Sequence, residues 1–404
     1  MSEHLVPSRR GLPGNDPIFA LDAEARRRKL AGETVVNATL GALTGDDGRL
    51  VILEPVMRAW ADLTPAEVAP YAPIAGDPAF LDALVARHWP GEACRSGCAT
   101  PGGSGALGLS ARAFLEPGMA VLAAGPCWGP YRTLAGEAGC GLVTAPFPEP
   151  GRPLDLAAWE AAASALLARQ GRLLVWLNDP CHNPTGRSLS AADRQALHGL
   201  LEALAARGPA TLLLDLAYQD YTPDPAHVRA ALDDHARLGR AGRVLAGACL
   251  SLSKALTLYG GRGGALAFPW TDDADLRAAL GACCRGLWSN APRAPQAVLL
   301  RLLGDPALRE ALAAAHRTWS EILRSRAAAL DAAMRAEGLD GITWQGGFFT
   351  ALPGDPGGSL AARLKDQGVF VVPLPEGMRV GLCALRADEA PSFARALKAA
   401  SSLV

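Results

Sequence analysis

The stretch Val244-Leu-Ala-Gly-Ala-Cys-Leu-Ser-Leu-Ser-Lys254 places one of the chain's four lysines directly after a continuous apolar run. Eight residues later, Arg262 lies within the glycine-rich run Gly260–Gly264. A buried lysine amine loses part of its hydration, so its pKa falls and it becomes a usable nucleophile. The neighbouring hydroxyls and the arginine could hold a phosphate. This layout is typical of a lysine that forms a Schiff base with pyridoxal phosphate, although a surface lysine at a strand end fits the string as well.

Further apolar runs of the same kind indicate strands that are buried on both faces, as in a parallel sheet. The predicted strands are Ala120–Ala124, Leu173–Leu177, Thr211–Leu214, Val244–Cys249 and Ala265–Phe268. Helical stretches such as Leu156–Arg169 and Ala191–Ala206 lie between them. This alternation predicts an α/β fold in which a mostly parallel central sheet is sandwiched by helices.

The C-terminal part of the chain has a different pattern. A long helical stretch rich in Ala, Leu and Arg runs from Pro295 to Glu337, and short strands and a last helix follow it. Those later elements are predicted at Gly341–Trp344, Thr350–Leu352, Val369–Val372, Met378–Leu382 and, for the helix, Glu389–Leu397. We therefore predict an N-terminal arm with part of a small domain over residues 1–50, a large cofactor-binding domain over 51–300, and a smaller α/β domain over 301–404.

The N-terminal segment predicts an extended arm over residues 1–20, followed by a charged helix at Leu21–Ala31. Five residues of the arm are expected to break any helix: Pro7, Gly11, Pro13, Gly14 and Pro17. The first residues lack the apolar core of a signal peptide, and no apolar run approaches the roughly 18 residues that a membrane helix needs. We expect a cytoplasmic protein with no membrane partner.

Composition and charge narrow the class of protein further. The chain has 404 residues, half of them hydrophobic and a fifth charged, as expected for a packed enzyme. Its formal net charge of −1 gives no drive toward nucleic acid, so small molecules and further copies of the chain are the expected partners. The nine cysteines include Cys94 and Cys98, but no second pair follows at zinc-site spacing. We expect reduced thiols and no metal.

Polar and aromatic side chains follow the predicted strands, where ligands bind in open α/β sheets. They are Trp128, Asn183, Asp215, Tyr218, Tyr221, Ser251, Ser253 and Lys254. Pyridoxal phosphate needs such a set: Asp215 could keep the pyridine nitrogen protonated, Asn183 and Tyr218 could hold the ring oxygen, and Trp128 could stack on the ring. The glycine-rich segment Thr100–Leu107 could open a helix that binds the phosphate.

Each of these features has a structural explanation when it is taken alone. A strand-end Asp such as Asp215 is often a helix cap, Gly102–Gly105 and Asn183-Pro-Thr-Gly186 are acceptable turns, and Trp128 could belong to the core. Their joint occurrence in this order favours the cofactor site.

The chain resembles the aspartate/aromatic amino acid aminotransferase family, class I aminotransferases of pyridoxal-phosphate fold type I, from about Asp16 to Leu382. His182-Asn-Pro-Thr-Gly186 is similar to the family's HNPTG loop, and Asp215-Leu-Ala-Tyr218 to its D-x-A-Y motif. Ser251-x-Ser-Lys254, followed by Leu258-Tyr259 and Arg262, is similar to its S-x-S-K…L-Y…R signature, and Trp128-Gly129 matches the cofactor-stacking tryptophan.

The resemblance implies a role for each matching residue. Lys254 would be the Schiff-base lysine and proton shuttle, Asp215 would pair with the pyridine nitrogen, and Asn183 with Tyr218 would hold the ring oxygen. The phosphate would be held by Gly103, Ser104, Ser251, Ser253, Arg262 and, across a homodimer interface, Tyr71. The substrate would contact Gly41, Trp128 and Asn183, with its α-carboxylate on Arg379. Asp16-Pro-Ile18 looks like the start of an arm that wraps the partner subunit.

The expected substrate class depends on Arg285, five residues before Asn290. In the family, an arginine at this spacing comes from the partner subunit and binds the distal carboxylate of aspartate or glutamate. If Arg285 has that role, dicarboxylic amino acids are substrates and aromatic side chains could also fit. An arginine on a helix surface is the alternative.

Several positions depart from the family's pattern. Tyr131 replaces a histidine that supports the ring-nitrogen aspartate, and Asn178 replaces a second supporting histidine. Gly102 replaces a serine or threonine of the phosphate loop, and Val380-Gly-Leu-Cys383 replaces N-V-A-G. These changes leave the cofactor chemistry intact and place a narrow aspartate specificity in doubt.

The resemblance implies a ping-pong transamination in which an L-amino acid gives its amino group to a 2-oxo acid such as 2-oxoglutarate. A lyase or decarboxylase of the same fold is the first alternative. A nicotinamide-dependent dehydrogenase would use the Gly102–Gly105 turn, but that turn lacks the G-x-G-x-x-G spacing. A non-catalytic binding module is a third alternative, and the joint presence of Lys254, Asp215 and Asn183 argues against it.

Overall fold

The computed structural model describes residues 2–11, 17–354, 357–375 and 377–402. Its helices are α1 Pro17–Leu30, α2 Glu54–Ala61, α3 Pro65–Val68, α4 Pro78–His88, α5 Gly102–Phe114, α6 Pro130–Glu137, α7 Leu156–Gln170, α8 Ala191–Ala205, α9 Pro225–Ala241, α10 Leu252–Ala255, α11 Ala274–Trp288, α12 Arg293–Gly304, α13 Pro306–Ala336, α14 Ser359–Asp366 and α15 Ala390–Ser401. Its strands are β1 Val36–Asn37, β2 Ser96–Pro101, β3 Ala120–Gly125, β4 Gly141–Pro146, β5 Leu173–Leu177, β6 Ala210–Leu216, β7 Leu245–Ser251, β8 Gly263–Phe268, β9 Phe349–Pro353, β10 Val369–Phe370, β11 Val372–Leu374 and β12 Gly377–Gly381.

The chain divides into two units. The smaller unit comprises the described residues of Met1–Gly41, Arg326–Ile342 and Ala351–Val404, and the larger comprises Ala42–Ser325 and Thr343–Thr350. The predicted domain boundaries at residues 50 and 300 stay predictions.

A mostly parallel sheet forms the centre of the larger unit. Its strand order, over the residues the structure describes, is β2-β8-β7-β6-β5-β3-β4. The strands from β7 to β4 are parallel, and β8 runs antiparallel to both β7 and β2. Strands β5, β6 and β8 are buried along their whole length, as their continuous apolar sequences predict. The predicted α/β class with a mostly parallel sheet sandwiched by helices is confirmed.

Helix ends in the larger unit follow from local sequence. Asp155 caps α7 by accepting a hydrogen bond from the Ala158 amide at 2.9 Å, and Gly171 ends that helix with φ +70°. Ser190 and Asp193 form a capping box at the start of α8. These caps fix α7 and α8 close to the predicted bounds.

In the smaller unit, β1 pairs with β10 in parallel, and β12 lies between β11 and β9. Phe370 is fully buried in a core with Ala25 and Val35. The unit also contains α1, α14 and α15, so the predicted α/β character of the C-terminal region is confirmed. No helix among the described residues combines the length and the apolar character that crossing a membrane requires.

Two predictions for segments outside the large sheet are wrong in detail. Gly341–Trp344 is not a strand, because the Ile342 amide donates to Asp331 Oδ1 at 2.8 Å instead of to a neighbouring strand. The N-terminal arm is not extended to residue 20, because short 3-10 helices occur at Ser2–His4 and Pro7–Arg9 and α1 already begins at Pro17. Proline is well tolerated in the first turn of a helix, where its missing N–H has no partner to lose. The predicted arm residue Asp16 lies outside the described residues.

Two strands of the large sheet have no sequence prediction. Strand β2 contains Gly97 and ends at Pro101, so it shows no apolar run. Strand β4 lies at the sheet edge, where five of its six residues are exposed or partly exposed. The long helical pattern after Pro295 is divided between α12 and α13, because Asp305 caps a new helix that begins at Pro306.

Candidate active site

The carboxyl ends of β5, β6 and β7 bring three polar positions to one edge of the sheet. Asn178 directly follows β5, Asp215 lies near the end of β6, and Ser251 ends β7. The three strands are neighbours and run parallel, so their carboxyl ends meet at the same edge. This is where an open α/β sheet presents its ligand site.

Asp215 is the buried carboxylate of this edge, with 7% of its surface exposed. Its Oδ2 accepts a hydrogen bond from Tyr131 Oη at 2.7 Å, and its backbone oxygen accepts one from Asn178 Nδ2, also at 2.7 Å. Burial raises the pKa of Asp215 to about 6, while the Tyr131 hydrogen bond and the charge of Lys254 act in the opposite direction. Asp215 is therefore ionised at neutral pH and above.

Asn178 connects Asp215 to a second pair of predicted site residues. Its Oδ1 accepts from the Asn183 amide at 2.6 Å, and Asn183 Nδ2 donates to Tyr218 Oη at 3.2 Å. The Tyr218 ring packs edge-on against Phe348 and Phe349, with centroids 5.4 and 5.5 Å away. The Asn183 amide and the Tyr218 phenol, which are predicted to hold the cofactor's ring oxygen, are thus adjacent.

Lys254 lies in the short helix α10, directly after β7. Its Nζ is 5.9 Å from the ring centroid of Tyr218 and 5.2 Å from that of Tyr259, within the range in which an aromatic face attracts a cation. The backbone around it is held on two sides, because Tyr221 Oη donates to the Lys254 carbonyl at 2.9 Å and His316 Nε2 lies 2.6 Å from the Ala255 carbonyl. The amine therefore projects from a fixed turn toward Tyr218.

A polar cradle forms where β2 passes into α5. Gly102 has φ +72°, and a methyl group at this position would come within 2.6 Å of Arg262 Nη2. Arg262 Nη1 in turn donates to Ser253 Oγ at 3.2 Å, and the Ser253 amide donates to Ser251 Oγ at 3.3 Å. Gly102 is needed both for its backbone conformation and for the space that the guanidinium occupies, which explains the missing hydroxyl at this position.

The cradle has the donors that a phosphate requires. Helix α5 begins at Gly102, so the amides of Gly103 and Ser104 belong to its first turn and have no partner within the helix. A methyl group at Gly103 would come within 3.2 Å of Ser251 Cβ, so the close approach of α5 to Ser251 also depends on glycine. Backbone N–H groups, hydroxyls and a guanidinium are the donors that bind anions in proteins.

Trp128 is half-buried between β3 and α6. Its ring meets that of Tyr131 edge-on, with centroids 6.0 Å apart. Tyr131 thereby touches both Trp128 and Asp215. In the sequence, Tyr131 and Asn178 are only departures from a family pattern. The structure places the Tyr131 hydroxyl on the Asp215 carboxylate and the Asn178 amide on the Asp215 backbone oxygen. The available sequence signal for the contact with Asp215 was the position of Tyr131, three residues after Trp128.

Tyr71 and Arg285 are not part of this buried group. The side chain of Tyr71 is 87% exposed, and Arg285 is exposed near the end of α11, where its Nη1 donates to Ser289 Oγ at 2.6 Å. On a single protomer both therefore belong to the surface.

Arg379 and Gly41 belong to the smaller unit. Arg379 is buried in β12, and its Nη2 donates to the Thr39 carbonyl at 2.8 Å. Gly41 follows Thr39 by two residues. Within this unit the predicted carboxylate-binding arginine thus lies beside the segment that leads to the predicted substrate-flanking glycine.

Residues 33–397 match the family model described as aminotransferase class I and II. The chain is 28% identical to the tyrosine aminotransferase of Rhizobium meliloti (strain 1021) over 401 residues, which cover 94% of this chain and 96% of that protein.

Solved structures give the same family. An aminotransferase from Anaerococcus prevotii superposes with a TM-score of 0.89 at 26% identity, over 98% of each chain. An aromatic-amino-acid aminotransferase from Burkholderia pseudomallei, covalently bound to pyridoxal phosphate, superposes with a TM-score of 0.80 at 25% identity, over 97% of this chain and 98% of that one.

Proposed function

Because the chain belongs to the class I and II aminotransferases and is a pyridoxal-phosphate-dependent aminotransferase, we propose that it transfers the amino group of an L-amino acid, aromatic or dicarboxylic, to a 2-oxo acid such as 2-oxoglutarate. We propose a ping-pong cycle, in which the amino donor leaves as a 2-oxo acid before the acceptor binds. The relative from Rhizobium meliloti is a tyrosine aminotransferase, which supports the aromatic half of this range.

The convergence of Lys254, Tyr218 and Asp215 on one sheet edge carries the proposal. The Lys254 amine faces the Tyr218 ring, and Tyr218 is joined to Asp215 through Asn183 and Asn178. A nucleophilic amine, a pair of oxygen-binding donors and a buried carboxylate are the groups that the cofactor's aldehyde, phenolic oxygen and pyridine nitrogen require.

The described residues fit pyridoxal phosphate. The cradle of Gly103, Ser104, Ser251, Ser253 and Arg262 would hold the phosphate, and its glycines leave space that a Cβ would fill. Trp128 would face the ring, Asn183 and Tyr218 would hold the phenolic oxygen, and Asp215 would hold the ring nitrogen. When bound, the cofactor supplies an electron-accepting ring that stabilises negative charge on the substrate's Cα.

Lys254 and Asp215 have separate tasks in the proposed reaction. Lys254 accepts the proton from the substrate's Cα, and the aromatic rings of Tyr218 and Tyr259 stabilise the resulting ammonium. Asp215 holds a proton on the ring nitrogen, which its ionised form does best above its pKa of about 6. We therefore expect the activity to fall at acid pH, where the Asp215 carboxylate takes up a proton.

Two arginines would select the substrate. Arg379 would bind the α-carboxylate through its planar fork. Arg285 would bind a distal carboxylate in the active site of the partner subunit, so a homodimer is part of the proposal. A dicarboxylic 2-oxo acid presents two anionic groups to these two cations, which supports 2-oxoglutarate as the acceptor.

The test is an amino-donor screen with 2-oxoglutarate, run on the wild type and on Lys254→Ala. We expect aspartate, tyrosine or phenylalanine to give glutamate, and we expect Lys254→Ala to lose at least about 10⁴-fold in kcat, the upper range for a general acid–base group. Lys29→Ala removes an exposed lysine of α1 and serves as the matched control. Near-normal turnover by Lys254→Ala would contradict the proposal, and carbon dioxide or ammonia as the main product would indicate a decarboxylase or lyase.

A further inference from the structure

A series of hydrogen bonds in the smaller unit leads from α1 to Arg379. Asn37 belongs to β1, and its Nδ2 donates to Asp22 Oδ1 on α1 at 2.8 Å. Its Oδ1 accepts from the Thr39 hydroxyl at 2.7 Å and from the Thr39 amide at 3.2 Å. The Thr39 carbonyl in turn accepts from Arg379 Nη2 at 2.8 Å. Four residues from α1, the β1 segment and β12 are thus joined in one series.

Burial makes each bond of this series depend on the next. Asp22, Thr39 and Arg379 are all buried, so a polar group among them that loses its partner cannot turn to water instead. The backbone beside Thr39 is also held, because the Ala38 amide donates to the Phe370 carbonyl at 2.9 Å. The segment therefore has little freedom to compensate for a broken contact.

The Asp22 carboxylate decides how the Asn37 amide is oriented. A carboxylate only accepts hydrogen bonds, so it binds the NH₂ group of Asn37 and turns the amide oxygen toward Thr39. Arg26 Nε lies 2.8 Å from Asp22 Oδ2 and so holds the second oxygen of the carboxylate. An inverted Asn37 would place its NH₂ group against the Thr39 N–H, donor against donor. The carboxylate on α1 thus fixes Thr39, whose carbonyl binds Arg379.

We propose that Asp22 is a positioning residue for substrate binding: through Asn37 and Thr39 it holds the Arg379 guanidinium in the direction in which its fork receives a carboxylate. This inference rests on the proposed function, because it assumes that Arg379 binds the substrate's α-carboxylate. Asp22 itself contacts no substrate. Its removal should therefore weaken the binding of carboxylates and leave the proton transfer by Lys254 and the binding of the cofactor unchanged.

The experiment measures the binding of two unreactive carboxylates to the cofactor-loaded protein by isothermal titration calorimetry. Succinate and 3-phenylpropanoate have no amino or oxo group, so they cannot react, and each presents a carboxylate to Arg379. We expect Asp22→Leu to weaken the binding of both about fivefold to tenfold, because one misplaced hydrogen bond of the fork costs about that much. Asp22→Asn keeps an oxygen that accepts from Asn37, so it should stay within about twofold of the wild type.

Glu24→Leu is the matched control. It removes another carboxylate of α1, which pairs with Lys365 Nζ at 3.5 Å in the same unit and does not belong to the series. The binding of both carboxylates should stay within about twofold of the wild type, since independent sites do not couple. Equal weakening in Asp22→Leu and Glu24→Leu would show a general effect of α1 on the unit and would overturn the positioning role.

Thr39→Val tests the series from its other end, and it decides the question if Asp22→Leu does not fold. The variant removes the hydroxyl that donates to Asn37 and keeps the backbone carbonyl that binds Arg379. We expect it to weaken the binding of both carboxylates about twofold to fivefold, as the loss of one neutral hydrogen bond does. In the double variant with Asp22→Leu the two losses should be less than additive in free energy, because both act on Thr39. Unchanged binding in Thr39→Val would overturn the proposal.

Steady-state kinetics separate this inference from the proposed function. In Asp22→Leu, KM for the amino donor should rise about fivefold to tenfold while kcat stays within about twofold, because the α-carboxylate contact is the same before and during the reaction. A lower kcat with an unchanged KM would overturn the positioning role, and so would wild-type binding of both carboxylates by Arg379→Leu. Failure of the proposed function would appear separately, as activity that survives in Lys254→Ala.

Discussion

Two sets of proposed site residues differ in their contacts within one protomer. The residues around Asp215 are buried and in contact with each other, whereas Tyr71 and Arg285 are exposed. Asp215, Asn183 and Tyr218 are tied together by hydrogen bonds of 2.6 to 3.2 Å within the larger unit. Tyr71 is 87% exposed, and Arg285 is exposed with a contact to its own helix end. On a single protomer the residues proposed to hold the cofactor ring are therefore already in contact, whereas Tyr71 and Arg285, which we propose to serve the partner's site, are exposed.

This difference predicts two kinds of mutational effect. A change in the buried group should slow the reaction of every substrate alike, because all substrates share the cofactor ring. A change at the exposed residues should depend on the substrate or on the partner subunit.

The largest effect in this comparison is expected for Asp215→Asn. The amide keeps the size of the side chain and removes the charge that holds the ring nitrogen protonated, so we expect kcat/KM to fall by about 10²–10³-fold, the usual cost of one preorganised electrostatic group. Aspartate and tyrosine should lose by similar factors in steady-state assays. Asp179→Asn is the control, because burial also raises the pKa of Asp179 to about 6, while its side chain accepts a hydrogen bond from the Leu189 amide. A loss confined to one donor would assign Asp215 to substrate selection instead.

The buried group was also the part that the sequence revealed best. Apolar runs predicted β5, β6 and β7. Asn183, Asp215 and Lys254 follow these runs in the sequence, and they were predicted to share one site because parallel strands end at the same edge of a sheet. The motifs shared with the family then predicted which part of the cofactor each of these residues would contact. Local patterns and fold geometry were sufficient to place the residues that directly follow these buried strands at one edge of the sheet.

Contacts between distant segments were out of reach of the sequence. Tyr131 and Asp215 are 84 residues apart, and apart from the spacing of Tyr131 after Trp128, nothing in either local pattern indicates that the Tyr131 phenol contacts the Asp215 carboxylate. Gly341–Trp344 reads as a strand, but the Asp331 side chain captures the Ile342 amide. Such side-chain competition for backbone groups depends on tertiary position, so periodicity cannot detect it.

A smaller and selective effect is expected for Arg285→Ala. Removing one partner of a charged pair costs about 2–3 kcal/mol at an interface, so kcat/KM for aspartate should fall about 30-fold to 100-fold. Tyrosine, which carries no distal carboxylate, should change by less than about threefold. Ser289→Ala is the control, because it removes the Arg285 contact on α11 and keeps the guanidinium. Equal losses for both donors, or the same loss in Ser289→Ala, would make Arg285 a structural residue of the helix end.

The smallest effect, and the one that tests the shared site most directly, is expected for Tyr71→Ala. Loss of one hydrogen bond to a charged phosphate should weaken pyridoxal phosphate binding about tenfold, measured by titration of the cofactor-free protein at a cofactor level that leaves the variant partly empty. Under those conditions Tyr71→Ala and Lys254→Ala are each impaired as homodimers.

Co-expression of the two variants with different affinity tags shows whether Tyr71 contributes to the active site of its own protomer or to that of the partner. In the hybrid dimer, one site combines Lys254 of one protomer with Tyr71 of its partner, and the other site lacks both. If Tyr71 serves the partner's phosphate, the purified hybrid should bind the cofactor with wild-type affinity at about half of its sites and recover about half of the wild-type activity. If Tyr71 serves its own protomer, each hybrid site carries one defect and no recovery follows. The exposure of Tyr71 on a single protomer makes recovery the expected result.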